Sequence, residues 1–121
     1  MKKIIIVLTL FFLSNLNATE IKFEKIVSNL NQPWSLSFID ENNIIFTEKS
    51  GNLFSFNIKN KKKSQIKHNL LILEDGQGGL LDVLYHEGSI FVSYSEYRGM
   101  RGYTSTSVAK GNFDKQNIKF K

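Results

Sequence analysis

Ile39-Asp40-Glu41-Asn42-Asn43-Ile44-Ile45-Phe46-Thr47 meets its echo 46 residues later as Tyr85-His86-Glu87-Gly88-Ser89-Ile90-Phe91-Val92-Ser93. Both stretches read as the end of a strand, a four-residue polar turn, then an apolar strand whose end turns polar. A period in the forties is what one four-stranded propeller blade occupies. Two hairpins of similar spacing give the same pattern, so the repeat alone leaves both readings open.

Working outward, the rest of the chain alternates strand and turn. Trp34, Leu36 and Phe38 alternate with Ser35 and Ser37, the period-two mark of a half-buried strand. Phe54, Phe56 and Ile58 alternate with Ser55 and Asn57, and Leu80–Tyr85, Ile90–Tyr94 and Tyr103–Ala109 read as further strands. Asp40-Glu41-Asn42-Asn43, Ser50-Gly51-Asn52 and Glu87-Gly88-Ser89 supply turn chemistry between them. No helical period is sustained after Ala18, so residues 19–121 are expected to be all-β.

The first eighteen residues differ. Met1-Lys2-Lys3 is followed by an apolar run from Ile4 to Leu13 and a small, polar close at Ala18. This is the pattern of a secretory signal peptide, expected to be cut near Ala18. An uncleaved anchor would need about 20 apolar residues, and Ser14, Asn15 and Asn17 interrupt this run early. The expected location is periplasmic or secreted, with membrane contact only through the signal. With no cysteine in the sequence, disulfides, thiolate metal sites and a lipidated cysteine are excluded. About a hundred residues remain after the signal, enough for one small domain. The formal charge of +5 includes Lys2 and Lys3. The largest basic cluster (Lys59, Lys61, Lys62, Lys63, Lys67) carries no interleaved aromatics, so it reads as a solvated loop and not as a nucleic-acid surface.

Two stretches add a resemblance. Asn31-Gln32-Pro33-Trp34-Ser35-Leu36-Ser37-Phe38, continued by Ile44-Ile45-Phe46-Thr47-Glu48-Lys49-Ser50-Gly51-Asn52-Leu53, resembles the opening blade of the PQQ-dependent aldose sugar and glucose/sorbosone dehydrogenases. Gly76-Gln77-Gly78-Gly79-Leu80-Leu81-Asp82-Val83 and Ile90–Glu96 resemble that family's second blade, and Tyr103–Gly111 the strand that follows. The resemblance implies a six-bladed β-propeller of which this chain covers roughly the first two blades. It also implies PQQ on the upper face with calcium, and oxidation of an aldose sugar at its anomeric carbon by general-base proton removal and hydride transfer to the quinone. An external electron acceptor would complete the cycle. The family's catalytic histidine, cofactor-binding arginines and calcium ligands lie beyond these blades. No residue here is therefore assigned a catalytic or metal-binding role.

In a propeller, turns of antiparallel strands alternate between two faces. With the inner strands opening at the upper face at Trp34 and at Gln77, the upper face collects Gln32, Glu48, Lys49, Gln77, Glu96, Arg98 and Arg101, and the lower face collects Asp40–Asn43 and His86–Ser89. Gln77 is the candidate cofactor-binding residue. Its glycine neighbours let the backbone approach a flat ligand, and its amide both donates and accepts. The resembling family has a glutamine lining the cofactor pocket at this motif. His86 reads as a turn histidine, and His68 has no metal-ligand partner at a usual spacing. Asp82, inside an apolar strand, is expected to bond a loop of the neighbouring blade, Trp34 to pack between blades, and Arg98 and Arg101 to be solvated or to meet an acidic ligand group. A non-catalytic exported propeller, a sugar-binding module and an inactive truncated product remain as alternatives. Two blades alone leave open faces and unpaired edges, so the isolated chain is expected to be unstable or to aggregate.

Overall fold

The computed structural model describes residues 20–99 and 102–121. The expected signal peptide and Arg101 lie outside them. The described residues form eight strands in two sheets: β1 (Pro33–Phe38), β2 (Asn43–Glu48), β3 (Leu53–Asn57) and β4 (Lys62–His68), joined at the outside by β8 (Asn117–Ile118), and then β5 (Leu80–His86), β6 (Ser89–Arg98) and β7 (Tyr103–Asn112). Neighbours within each sheet are antiparallel except for the short β4–β8 pair, which is parallel. These are two successive blades. The inner strand of each breaks register near its start, between Pro33 and Leu36 in β1 and between Leu80 and Val83 in β5. The internal repeat therefore extends from the hairpins to the inner-strand irregularities.

The two halves of the repeat turn differently. Between β1 and β2, the Asp40 carboxylate accepts the N–H groups of Asn42 (2.8 Å) and Asn43 (2.9 Å), a side-chain substitute for backbone turn bonds. Between β5 and β6 only Glu87 and Gly88 intervene, with φ of 46° and 76°. Two positive φ values in a two-residue loop match the right-handed twist of the flanking strands.

The lysine cluster corrects the sequence reading. Lys62, Lys63 and Lys67 are in β4, not in a loop. Of that strand only Ile66 is buried, so no apolar alternation announces it. Lysines suit the outer strand of a blade, where they discourage pairing with other chains. Lys63 also lays its ammonium over the Phe54 ring at 4.9 Å.

The core lies between the blades. Ile45, Leu53 and Ile66 from the first meet Leu80, Val83, Ile90, Val92, Tyr94 and Ala109 from the second, with Ile118 and Phe120 closing the outside. Cross-blade hydrogen bonds fix the register: Tyr85 N–H donates to Ser37 Oγ (3.0 Å) and Val83 N–H reaches Ser35 Oγ (3.5 Å). The buried Thr47 hydroxyl donates to the Leu81 carbonyl (2.6 Å) and accepts the Ser35 N–H (3.2 Å). The serine row of β1 thus faces the second blade. Its apolar row faces the other way, with Trp34 47%, Leu36 52% and Phe38 60% exposed. Trp34 does not pack between these two blades, contrary to expectation. A smaller cluster on its side (Ile44, Phe46, Phe56) is covered by Ile26, Val27 and Leu30 from the segment preceding β1.

A second clasp lies at the outer edge. Asn69 pairs with the Phe120 backbone in both directions (2.7 and 3.1 Å), and Lys110 and Lys121 exchange backbone hydrogen bonds (2.9 and 3.0 Å). Gly111 permits the crossing, because a Cβ there would stand 2.5 Å from Ile118 Cγ2.

Candidate functional site

Three segments meet at the upper end: Gln32 before β1, Lys49 after β2, and Gly76–Gly79 before β5. Lys49 joins them. Its N–H donates to the Gln32 carbonyl (3.0 Å), its carbonyl accepts the Leu80 N–H (3.0 Å), and its ammonium donates to the Gly76 carbonyl (2.6 Å). Gly79 is required for this approach. Its φ is 156°, and a Cβ would overlap the Lys49 carbonyl oxygen. Its own carbonyl accepts the Ser95 N–H (2.9 Å), and Gly78 donates to Asp75 (2.6 Å) to close the turn. Gly76 has φ 53° and opens onto free space.

Gln77 sits on this braced turn, exposed. Its side-chain amide can both donate and accept a hydrogen bond. Gln32, Lys49 and Gln77 are thus drawn to one end of the blade pair, as the alternation of turns implied. The bracing by Lys49 was not visible in the sequence. A lysine beside a Gly-rich stretch carries no signal of which carbonyl it will hold.

Glu48, Glu96 and Arg98, also expected on the upper face, are engaged in structural bonds. Glu48 is 4% exposed. Its carboxylate accepts Asn31 N–H (2.9 Å) and Asn52 Nδ2 (3.0 Å), tying the segment before β1 to the β2–β3 turn. Glu96 accepts the Ser107 hydroxyl (2.6 Å), the Tyr94 hydroxyl (3.1 Å) and Arg98 Nε (3.1 Å). The Ser107 hydrogen bond, chiefly, holds the Glu96 carboxyl below its usual range. Burial and the bond to Glu96 push the Tyr94 phenol up. Arg98 is committed to Glu96 and Ser107, so its charge is already compensated.

The remaining candidates are structural too. Asp82 is exposed and bonds Ser35 Oγ, so its partner is the inner strand of the neighbouring blade and not a loop. The Val83 N–H also donates to it (2.9 Å). His86 closes β5 at the end opposite Gln77, exposed, 3.8 Å from Glu87. His68 receives Leu70 N–H at Nδ1 (3.3 Å) and sets Nε2 2.7 Å from the Gly51 carbonyl, which fits the neutral tautomer protonated at Nε2. Among the described residues, no three of His, Asp and Glu gather where a metal ion could be held.

Similarity to known proteins agrees with this architecture. No curated protein matches the chain. Among solved structures, it is similar to the soluble aldose sugar dehydrogenase of Escherichia coli in its apo form, with 30% identity and a TM-score of 0.66 over 74% of this chain and 28% of that one. It is similar to a glucose dehydrogenase at 28% identity and a TM-score of 0.74, covering 81% of this chain and 33% of the other. The PQQ-bound form of an aldose sugar dehydrogenase from Streptomyces coelicolor shares the fold, at 13% identity and a TM-score of 0.65 over 80% of this chain and 31% of that one. The chain thus spans about a third of the length of these proteins. The family model for Glucose / Sorbosone dehydrogenase matches residues 30–121, which takes in both blades and the Gln77 turn; the chain belongs to that family of oxidoreductases.

Proposed function

We propose that this chain forms the first two blades of an exported, PQQ-dependent dehydrogenase that oxidises aldose sugars at the anomeric carbon. The observation that carries the reading is the turn Gly76–Gly79, braced by Lys49 and presenting Gln77 beside open space at one end of two family blades. PQQ, when bound, supplies a two-electron acceptor for the sugar and passes the electrons to an external acceptor. The part of this chain is to seat it. Gln77 would help hold it, its amide able to donate to a cofactor oxygen or accept from a sugar hydroxyl, and Lys49 would keep the turn in place through its bond to the Gly76 carbonyl. The described residues offer calcium no ligand set. The general base belongs to later blades. The charged start, apolar run and small close of Met1–Ala18 support export to the periplasm or beyond.

The test is made on the native product, isolated with an antibody to Glu48–Leu53. Six blades at roughly 45 residues each, with their loops, give an intact mass of about 35 kDa or more. That product is expected to reduce a dye with an aldose only after PQQ is added. A full-size product that binds PQQ but oxidises no aldose would overturn the substrate assignment. A product of only this length would leave the family membership as ancestry without activity.

A further inference from the structure

The two blades splay apart on the lower, outer side and leave a groove of about 840 Å³ between β3–β4 and the loop from β7 to β8. It is distinct from the Gln77 turn, and the family reading gives it no task. Its floor is amide and hydroxyl. Asn57 donates to Asn43 (2.9 Å) and accepts the Asn60 N–H (2.9 Å), which fixes its side chain, and the Ser64 hydroxyl lies alongside. Phe113 forms one wall, its ring set edge-on to Tyr85 at 5.8 Å.

The charge lining this groove has a positive excess, with three lysines against the Asp40 carboxylate. Lys62, Lys67 and Lys115 line it, all three exposed and none ion-paired among the described residues. Asp40 lines the groove and keeps its charge, on which Lys115 acts, and Asp114 stands beside Lys115; the oxygens of both already have hydrogen-bond donors. Asp40 accepts the backbone N–H groups of Asn42 and Asn43, and Asp114 those of Gln116 (2.7 Å) and Asn117 (2.9 Å). A polar floor with fixed donors and acceptors suits a hydroxyl-rich ligand, an aromatic wall suits the apolar face of a sugar ring, and three lysines against one carboxylate leave a positive excess that selects negative charge. A nucleic acid would want stacking aromatics interleaved with the lysines, and only one ring is present here.

We propose that this groove binds an acidic oligosaccharide, with its hydroxyls on the Asn57–Ser64 floor and its carboxylates on Lys62, Lys67 and Lys115. The test is calorimetric titration of the full-length protein with tetragalacturonate, neutral maltotetraose and linear pentaphosphate. Tetragalacturonate is expected to bind roughly ten-fold or more tightly than maltotetraose, and the triple variant Lys62→Ala/Lys67→Ala/Lys115→Ala to lose a similar factor. Should the triple variant fail to fold, Lys115→Glu alone, on an exposed loop, is expected to weaken binding about three-fold or more. Absence of tetragalacturonate binding, as when a later segment of the protein fills the groove, would overturn the proposal. So would unchanged affinity in either folded variant. Pentaphosphate binding as tightly as tetragalacturonate would mean that the groove reads charge alone, which overturns the assignment to a glycan.

Discussion

The two faces of the first blade are made by the same strands and treated in opposite ways. Toward the second blade, Ile45, Leu53 and Ile66 are buried, and Ser35, Ser37 and Thr47 bond β5 directly. Away from it, Ile44, Phe46 and Phe56 pack with Phe54 and Ile58 of the same blade under Ile26, Val27 and Leu30, while Trp34, Leu36 and Phe38 stay exposed. One face has directional bonds to the neighbouring blade that set register; the other has apolar area and, among the described residues, no bond to another blade. Burial alone stabilises a contact without choosing its alignment, whereas each cross-blade hydrogen bond is satisfied in one register only.

The largest expected effect compares a truncation on each face. Ile45→Ala, at a side chain with 0% exposure, is expected to cost about 2–5 kcal/mol in denaturant titration. In the full-length product, Leu36→Ala is expected to cost a similar amount if another blade covers this face, although half its surface is open in the blade pair. A Leu36→Ala cost well under the Ile45→Ala cost would mean that the face stays open.

Thr47→Val asks how much the directional bonds contribute. It leaves the Leu81 carbonyl and the Ser35 N–H unpartnered in a buried place, for an expected loss of about 1–3 kcal/mol. A change within a few tenths of a kcal/mol would mean that water replaces the hydroxyl and that packing alone aligns the blades.

The β1 strand shows where the sequence was legible and where it was not. Period-two alternation identified β1 and β3, and β-forming runs between turn residues identified β5, β6 and β7, with β2 standing out as an apolar run. Alternation could not say which row of β1 faces the neighbouring blade. The usual inference puts the apolar row inward, yet the serines point inward and bond β5, because an inner strand of a propeller has neighbours on both faces. β4 was missed since Ile66 is its only buried residue, and β8 because two residues pairing across blades leave no pattern. At the site, Gly76-Gln77-Gly78-Gly79 marked the turn. The Lys49 bracing depends on a contact 27 residues away in sequence, which no local motif records.

Acid gives a smaller contrast. Backbone N–H groups, first Asn42 for Asp40 and first Asn117 for Asp114, hold those carboxyls below their ordinary values, as the Ser107 hydroxyl does for Glu96. A folded-state pKa below the unfolded one gives stability that is present above the ordinary carboxylate range. That stability is lost as pH falls through the lowered folded values. The melting temperature should therefore decline below about pH 4, and Glu96→Gln should flatten part of the decline. The loss should begin at the turns and at the Tyr94–Ser107 edge and leave the inter-blade core for last; hydrogen exchange that opens Ile45 and Val92 first would reverse that order.

The claim that the Gln77 turn seats the cofactor is met most directly by titrating PQQ into the full-length protein and its Gln77→Ala variant, following the cofactor's absorbance. Gln77 is exposed, so the variant should melt at the wild-type temperature and yet bind PQQ about ten-fold more weakly, as loss of one hydrogen bond to a charged or strongly polar ligand group would give. Equal affinity in the two proteins, or no PQQ binding by the wild type, would contradict it.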